Sequence, residues 1–567
     1  MHQDPSPPPG SLPDAADGQA AVSPATIPPP PRPGGHRARR LLAGTAVFVL
    51  VAGATAGAIT AFVLTRSAAP SVSLMVPADA AFYASVEIHP SGAQELALSH
   101  LLSAFPALAT QSMQAKLVDG LLDGSLKDTG LTHADILPWL GQEIGVSVGA
   151  GASGLSSVEP SIAAYVDTID DSQTLAALTT ARSSGAGSRF TDTGLEYRGV
   201  AITQVTPAAA GDPGGTYALV DHVLVLAGSE SYLEEIIDTA QGSHPSLANA
   251  ADYTAAVAQL SADRLATLYA DVPTVLSAAL SAMGGRGSEL KPLLDQLTAF
   301  RDAAAGVEAV TGGLAVDWVV DDDSGQLTTA EKQALAAAPD HNSTALDTPA
   351  NAALFVGVTG FPSIVSVVIG GLSKSLPAGA SFLVQGVLSD LSGDAGIEID
   401  PSASGGLGGA AIIATSAPAA AGQLLDLAIP MLVAGASKTP PSVGHTTYLG
   451  TEFSELQGAD GVVAWTVTHG AAIIATSPGQ MEAVLSAIDG GNSLGASTDY
   501  ARTAGAQTAD GAVYINAGQV IAALGGSLSH IPGASQVLAN LEKIESISMT
   551  ETSTSGHIAG HFLIEVP

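Results

Sequence analysis

The chain has 567 residues, with 53 acidic against 19 basic side chains, a net charge of −34, no cysteine and only 4% aromatic residues. The missing cysteine excludes disulfides, thiolate metal sites, cysteine nucleophiles and an acylated-cysteine anchor. So negative a surface repels a phosphate backbone, and so few aromatics argue against base-stacking platforms and the aromatic shelves of sugar sites; nucleic acid is a poor partner.

Residues 1–40 carry the runs Pro7-Pro8-Pro9 and Pro28 to Pro31 and few large apolar side chains. Such a segment cannot bury enough surface to offset its ordering entropy, so it is expected to be a disordered tail with polyproline II character. Pro28 to Pro33 also has the composition of a ligand for an aromatic groove in a cytoplasmic partner.

From Leu41 to Thr65 no charged residue occurs over 25 positions. As a helix this run reaches about 37 Å, enough to cross a hydrocarbon core of ~30 Å with some tilt. Arg37, Arg39 and Arg40 precede it and only Arg66 follows, which favours a cytoplasmic N-terminus and places the bulk of the chain outside the plasma membrane. A cleaved signal peptide is the competing reading, because Ser67-Ala68-Ala69 follows the run. Signal cores are usually ~7–15 residues behind a short basic head, which favours a retained anchor. Gly53 and Gly57 match the GxxxG helix-pairing motif, although an Ala- and Gly-rich run produces that spacing by chance.

Beyond the anchor, residues 67–567 hold 14 basic against 50 acidic residues, a net charge of −36. Solubility alone accounts for such a surface. This stretch contains an internal repeat. Pro77-Ala-Asp-Ala-Ala81 matches Pro349-Ala-Asn-Ala-Ala353, Leu140 to Val148 matches Leu391 to Ile399, and Ser246 to Tyr253 matches Ser493 to Tyr500, with Ala262-Asp263 set against Ala509-Asp510. The separations fall from 272 to 251 to 247 residues, as expected if the second copy has lost loop residues. Two related lobes follow, at 70–330 and 345–567.

Within each lobe strands alternate with capped helices. Phe82, Ala84, Val86 and Ile88 fall on one face of a strand and Ser85 and Glu87 on the other, the pattern of a half-buried sheet. Ser91 with Gln94 opens a helix carrying Leu98, Leu101, Leu102 and Phe105 before Pro106 stops it. Ser229 and Ser477 are expected to cap two further helices, the first ended by Gly242 and the second begun by Pro478. Gly, Asn and Asp punctuation between many strands points to an α+β fold, two tandem lobes of mainly antiparallel sheet with packed helices.

The stretches PADAAFYASVEIHPSGAQELALSHLLSAFP, DILPWLGQEIGVSVG and DYTAAVAQLSADRLATLYADV resemble a family of exported bacterial proteins, domain of unknown function 3352. The resemblance rests on the Pro-Ala-Asp start, Pro90-Ser91-Gly92, Trp139-Leu140-Gly141 and the Ala262-Asp263 lead into a strand, and covers most of the first lobe. The second lobe lacks a counterpart of Trp139. Resemblance implies an N-terminally anchored extracytoplasmic protein and brings no catalytic residues.

Motifs with chemistry are few. Gly406 to Ala411 fits G-x-G-x-x-A, but a strand follows where the dinucleotide motif needs a helix. Val320 to Glu331 resembles a calcium loop but has Val320 at the first ligand position, and an acidic turn before a helix capped by Thr328 fits as well. His557 and His561 have metal-ligand spacing for a helix, yet lie in a stretch that reads as a terminal strand. Ser288 and Lys291 fit S-x-x-K without companion motifs, and Ser288 also suits a helix cap. No residue is assigned as catalytic, cofactor-binding or metal-ligating, and no cofactor is implied. The expectation is a membrane-anchored extracytoplasmic protein with a non-enzymatic binding or scaffold role towards an envelope protein or lipid. The alternatives are a cell-envelope hydrolase with dispersed catalytic residues and a carrier of an apolar ligand.

Overall fold

The computed structural model describes residues 72–105, 131–150, 161–183, 190–208, 214–283, 300–322, 342–359, 393–401, 407–434, 442–457, 461–506, 509–528, 542–554 and 556–567. The tail, the apolar run Leu41–Thr65 with its GxxxG motif, Pro106, Ser288, Lys291 and residues 323–331 lie outside them. Among the described residues no helix is long and apolar enough to cross a membrane.

The fold is α+β and mainly antiparallel. Among the described residues the first ten strands are β1 (Phe82–Glu87), β2 (Leu140–Val148), β3 (Ile162–Thr168), β4 (Phe190–Tyr197), β5 (Val200–Pro207), β6 (Gly215–Val220), β7 (Val223–Ala227), β8 (Ala266–Asp271), β9 (Phe300–Val310) and β10 (Gly313–Asp322). Ten more follow: β11 (Leu354–Val358), β12 (Ala395–Pro401), β13 (Leu407–Ala414), β14 (Val443–Tyr448), β15 (Thr451–Gln457), β16 (Val462–Thr468), β17 (Ala471–Ala475), β18 (Gly511–Asn516), β19 (Ser546–Ser553) and β20 (His557–Glu565).

Pairing orders the first set as β4, β5, β6, β7, β3, β2, β1, β8, β9, β10. The second set runs β14, β15, β16, β17, β13, β12, β11, β18, β19, β20, the same order strand for strand. Antiparallel pairing of β10 with β20 joins them, so one sheet runs through both stretches marked by the sequence repeat. Registers repeat too: Phe82 stands opposite Val148 and Ala270, and Leu354 opposite Ile399 and Ile515.

The matched sequence stations meet in space. Pro77 bridges Ser246, and Pro349 bridges Ser493. Leu247 N donates to Val76 O at 2.7 Å and Leu494 N to Thr348 O at 2.7 Å, which seats each Pro-Ala turn on a 3-10 turn. An edge-to-face aromatic trio then fills each core, Tyr83 with Tyr253 and Tyr269 in one and Phe355 with Tyr500 and Tyr514 in the other. One register needs correction. Glu87 N bonds Leu265 O where Thr359 N bonds Asp510 O, so Asp510 is the counterpart of Leu265 and not of Asp263. The connection into β18 is two residues shorter, and the Ala-Asp identity is a coincidence of composition.

Ser91 Oγ accepts from Gln94 N at 3.2 Å and opens the helix Gly92–Ala104. Gln94 does not turn back on the cap. Its amide bonds Asp263 O at 2.9 Å and Ala309 N at 2.8 Å, fastening the helix to β9. Ser229 and Ser477 cap the helices Glu230–Ala240 and Pro478–Ile488. The half-buried pattern assigned to β1 fails, because Tyr83 and Ser85 are buried together with Val86. Tyr83 and Val86 belong to different apolar clusters.

Candidate functional site

A pair of perturbed carboxyl groups lies on β12. Alternation along this strand puts Glu398 and Asp400 on one face. Both are sealed, at 1% and 2% exposure. Gln480, in the first turn of the helix Pro478–Ile488, lies above them because its amide nitrogen is held by the Ser477 cap. Its side-chain Nε2 donates to Glu398 Oε1 at 2.6 Å and to Asp400 Oδ2 at 2.9 Å. Glu398 Oε2 and Asp400 Oδ1 are buried with no partner of standard hydrogen-bond geometry, and the two carboxyls face each other closely enough to share a proton. Burial, then the facing Asp400 carboxyl, pushes Glu398 up to about 8, and burial raises Asp400 as well.

The corresponding place in the first strand set is built from neutral groups. Ser147 stands where Glu398 does, and its Oγ lies 2.8 Å from the hydroxyls of both Tyr165 and Tyr232. Tyr232 occupies the helix position of Gln480. Its ring fills the space over Gly149, the counterpart of Asp400, where a Cβ would come within 2.7 Å of the ring. Burial raises both phenols, Tyr232 to about 12, so this network is uncharged at neutral pH. The two sets thus solve one packing problem, docking a capped helix on the sheet, by different chemistry.

A second buried acid belongs to the repeat. Glu143 on β2 is 2% exposed and accepts from Val72 N at 3.0 Å and from the Tyr83 hydroxyl at 2.8 Å. Burial holds its carboxyl above the usual range against the pull of these donors. Its counterpart Asp394 accepts from Ser343 N and Oγ, both at 2.8 Å. In both sets the acid caps a 3-10 turn ahead of the first strand. Phe355 replaces Tyr83, matching the shorter acid with a ring that has no hydroxyl.

Arginines complete the charge pattern. Arg301 Nε lies 2.7 Å from Asp302, with Asp252 at 3.4 Å and Asp321 at 3.8 Å. Arg502 Nε lies 2.6 Å from Glu565, with Glu545 at 3.3 Å and Asp499 at 3.6 Å. Asp252 and Asp499 are equivalent, but the arginine comes from β9 in one set and from the helix Thr498–Arg502 in the other. Among the described residues no three His, Asp or Glu side chains converge as metal ligands.

The sequence motifs fall mostly outside these clusters. The strand expected from Ala410 onward is β13, and it begins earlier, at Leu407, so Leu407 to Gly409 are strand where the motif read as a hairpin loop. Val320 to Asp322 end β10. His557 and His561 lie on β20, and His561 Nδ1 contacts Asp317 Oδ1 at 2.7 Å. Trp139 packs with Ile88, Ile136 and Leu140 and donates to Asp135 O at 2.7 Å, a packing role. Sequence reasoning passed over Glu398, Asp400 and Gln480. The available signal was an acid at i and i+2 on one strand face, where the first copy has Ser147 and Gly149.

No curated protein matches the chain. Among solved structures, crystal form III of TP0453 is similar over 48% of this chain and 86% of that one, at 11% identity and a TM-score of 0.21. Crystal form I of TP0453 is similar over 46% and 82%, at 9% identity and a TM-score of 0.23. The family model described as a protein of unknown function, DUF3352, matches residues 41–365, more than half of the sequence. The chain belongs to the DUF3352 family.

Proposed function

We propose that the protein is a non-enzymatic binding or scaffold component of the cell envelope, held at the plasma membrane by Leu41–Thr65 with residues 70–567 outside. The two strand sets, 70–330 and 345–567, act as duplicated lobes that offer a surface to an envelope protein or lipid. The charge asymmetry of Arg37, Arg39 and Arg40 against Arg66 supports the orientation.

One observation carries the non-catalytic part of this reading. Among the carboxyl groups that burial raises, Glu143, Glu398 and Asp400 have 2% exposure or less and hold a turn or a helix on the sheet. A general acid or nucleophile has to reach substrate, and these side chains are committed to internal contacts.

Two measurements test the proposal. Reporter fusions that are active only outside the membrane should report when joined after residue 70 and stay silent when joined before residue 36. The opposite pattern, or recovery of the mature chain without its first 66 residues, overturns the tether. The purified chain should show no turnover on esters, peptides, glycosides or phosphate esters; turnover abolished by Glu398→Gln overturns the non-catalytic role.

A further inference from the structure

Each described arginine other than Arg264 lies within 4 Å of a carboxylate: Arg182 pairs with Asp192, Arg198 with Asp238, Arg301 with Asp302 and Arg502 with Glu565. Arg264 instead donates from Nε to Thr267 Oγ1 at 2.7 Å and from Nη1 to the Ser261 carbonyl at 2.8 Å, both neutral acceptors. Among the described residues those bonds use two of the five guanidinium N–H groups and leave three. A guanidinium with no carboxylate partner among the described residues is conspicuous in a chain with a net charge of −34.

Arg264 borders a cleft of about 400 Å³. The helix Ala251–Val257 contributes Tyr253, Thr254 and Val257, with Leu260 beyond it, and Ser73 comes from the 3-10 turn Val72–Leu74. Ser73 Oγ is fully buried and has no hydrogen-bond partner of standard geometry. The volume lies within the ~300–1,000 Å³ common for small-molecule sites and has room for roughly a dozen water-sized groups.

The second strand set lacks the ingredients. Tyr500 matches Tyr253, but the chain from there to the sheet is two residues shorter. Ala504 and Ala509, both buried, stand where Val257 and Arg264 do. The cation and its apolar wall are therefore peculiar to the first copy, while the aromatic core beneath is common to both.

We propose that this cleft binds a small organic anion with an apolar body, its carboxylate paired with the Arg264 guanidinium and its body resting on Val257, Leu260 and Tyr253. Charge-assisted bonds to a half-buried guanidinium supply orientation, and the apolar wall supplies affinity. The inference deepens the binding role proposed above by naming a ligand class for one place on the surface. It does not depend on which side of the membrane the body occupies, so a failed fusion-reporter test leaves it standing.

The probe is 4-phenylbutyrate, titrated into the full chain held in nanodiscs of neutral lipid, with 4-phenyl-1-butanol and inorganic phosphate as comparisons. Saturable binding of the carboxylate is expected, with the alcohol and phosphate each weaker by about tenfold or more. Arg264→Gln should bring the carboxylate down to the level of the alcohol. Because that substitution also alters two internal hydrogen bonds, Thr254→Trp, at an exposed position on the cleft wall, provides an independent block and should abolish binding with an unchanged melting temperature. No saturable binding, equal affinity for alcohol or phosphate, or binding indifferent to both substitutions overturns the site.

Discussion

His561 Nδ1 lies 2.7 Å from Asp317 Oδ1 across the pairing of β10 with β20, and the two residues occupy equivalent positions in the repeated strand order. The equivalence follows from register: Asp302 pairs Asp321 where Ser546 pairs Glu565, which sets Asp317 against His561. An antiparallel pairing of equivalent strands has a two-fold at its centre, and this pair sits on it. In an isologous dimer of identical copies that position would face itself. One chain carrying both copies can place an acid opposite a histidine there.

Such a cross-strand pair at the seam should couple energetically. With side chains about a quarter exposed, a double-mutant cycle on Asp317→Ala and His561→Ala is expected to give a coupling of about 0.5–1 kcal/mol. Chemical denaturation of the four proteins measures it, and a coupling indistinguishable from zero would remove the pair from the account of the seam.

Tyr83 and Glu143 in the first set differ from Phe355 and Asp394 in the second as a matched pair. Tyr83→Phe alone leaves the buried Glu143 Oε1 without its hydroxyl donor and should cost about 1–3 kcal/mol. Tyr83→Phe combined with Glu143→Asp recreates the side-chain pair of the second copy and should recover part of that loss. Denaturation midpoints at constant m decide the matter; additive losses in the double variant would show that the two positions do not act together.

What could be read from the sequence divides along the range of the interaction. Ser91, Ser229 and Ser477 were legible as caps because the hydrogen bond closes over three residues. The repeat was legible because its Pro-Ala turns and the Ser-Leu segments they dock on recur as short identities. The seam was not, since β10 meets β20 across more than 200 residues and no local pattern records that pairing. Alternation also misassigned β1: Ser85 was placed with Glu87 on a polar face, yet Ser85 is buried and Tyr83 beside it finds its partner in buried Glu143, so a polar side chain did not mean a wet one. Glu398 and Asp400 escaped for the same reason. An acid between isoleucines reads as the solvent side of a strand until Gln480 is known to cover it.

Gly560 stands opposite Trp318 at the seam, and the indole of Trp318 occupies the space where a Cβ on Gly560 would project. Gly560→Ala should therefore displace the ring, with a loss of about 1–3 kcal/mol from overpacking and a shift in tryptophan fluorescence. The comparison substitution Gly556→Ala, where no atom lies within 4 Å, should leave the emission unchanged. Equal effects from the two would mean that the seam yields freely around the indole.

The carboxyl pair under Gln480 gives the protein a dependence on pH with a definite sign. An ordinary glutamate titrates near 4.5, whereas Glu398 in the folded chain titrates at about 8, raised by burial and by Asp400. Between those values the folded state keeps a proton that the unfolded chain has released, so folding is favoured by acid: its contribution is whole below 4.5, declines as pH rises, and is lost above about 8. Asp400 shifts in the same direction. Glu398→Gln removes the ionisation while keeping the shape and an oxygen for the Gln480 amide. Its melting temperature should exceed that of the unaltered chain at pH 8.5 by more than at pH 5, and the difference between the two proteins isolates this site from the many surface carboxylates. A difference independent of pH, or one that grows towards acid, would mean that the proton is not held between Glu398 and Asp400. The helix Pro478–Ile488 would then dock on a charged pair that only the Gln480 amide hydrogen-bonds, a far costlier arrangement for two groups sealed from water.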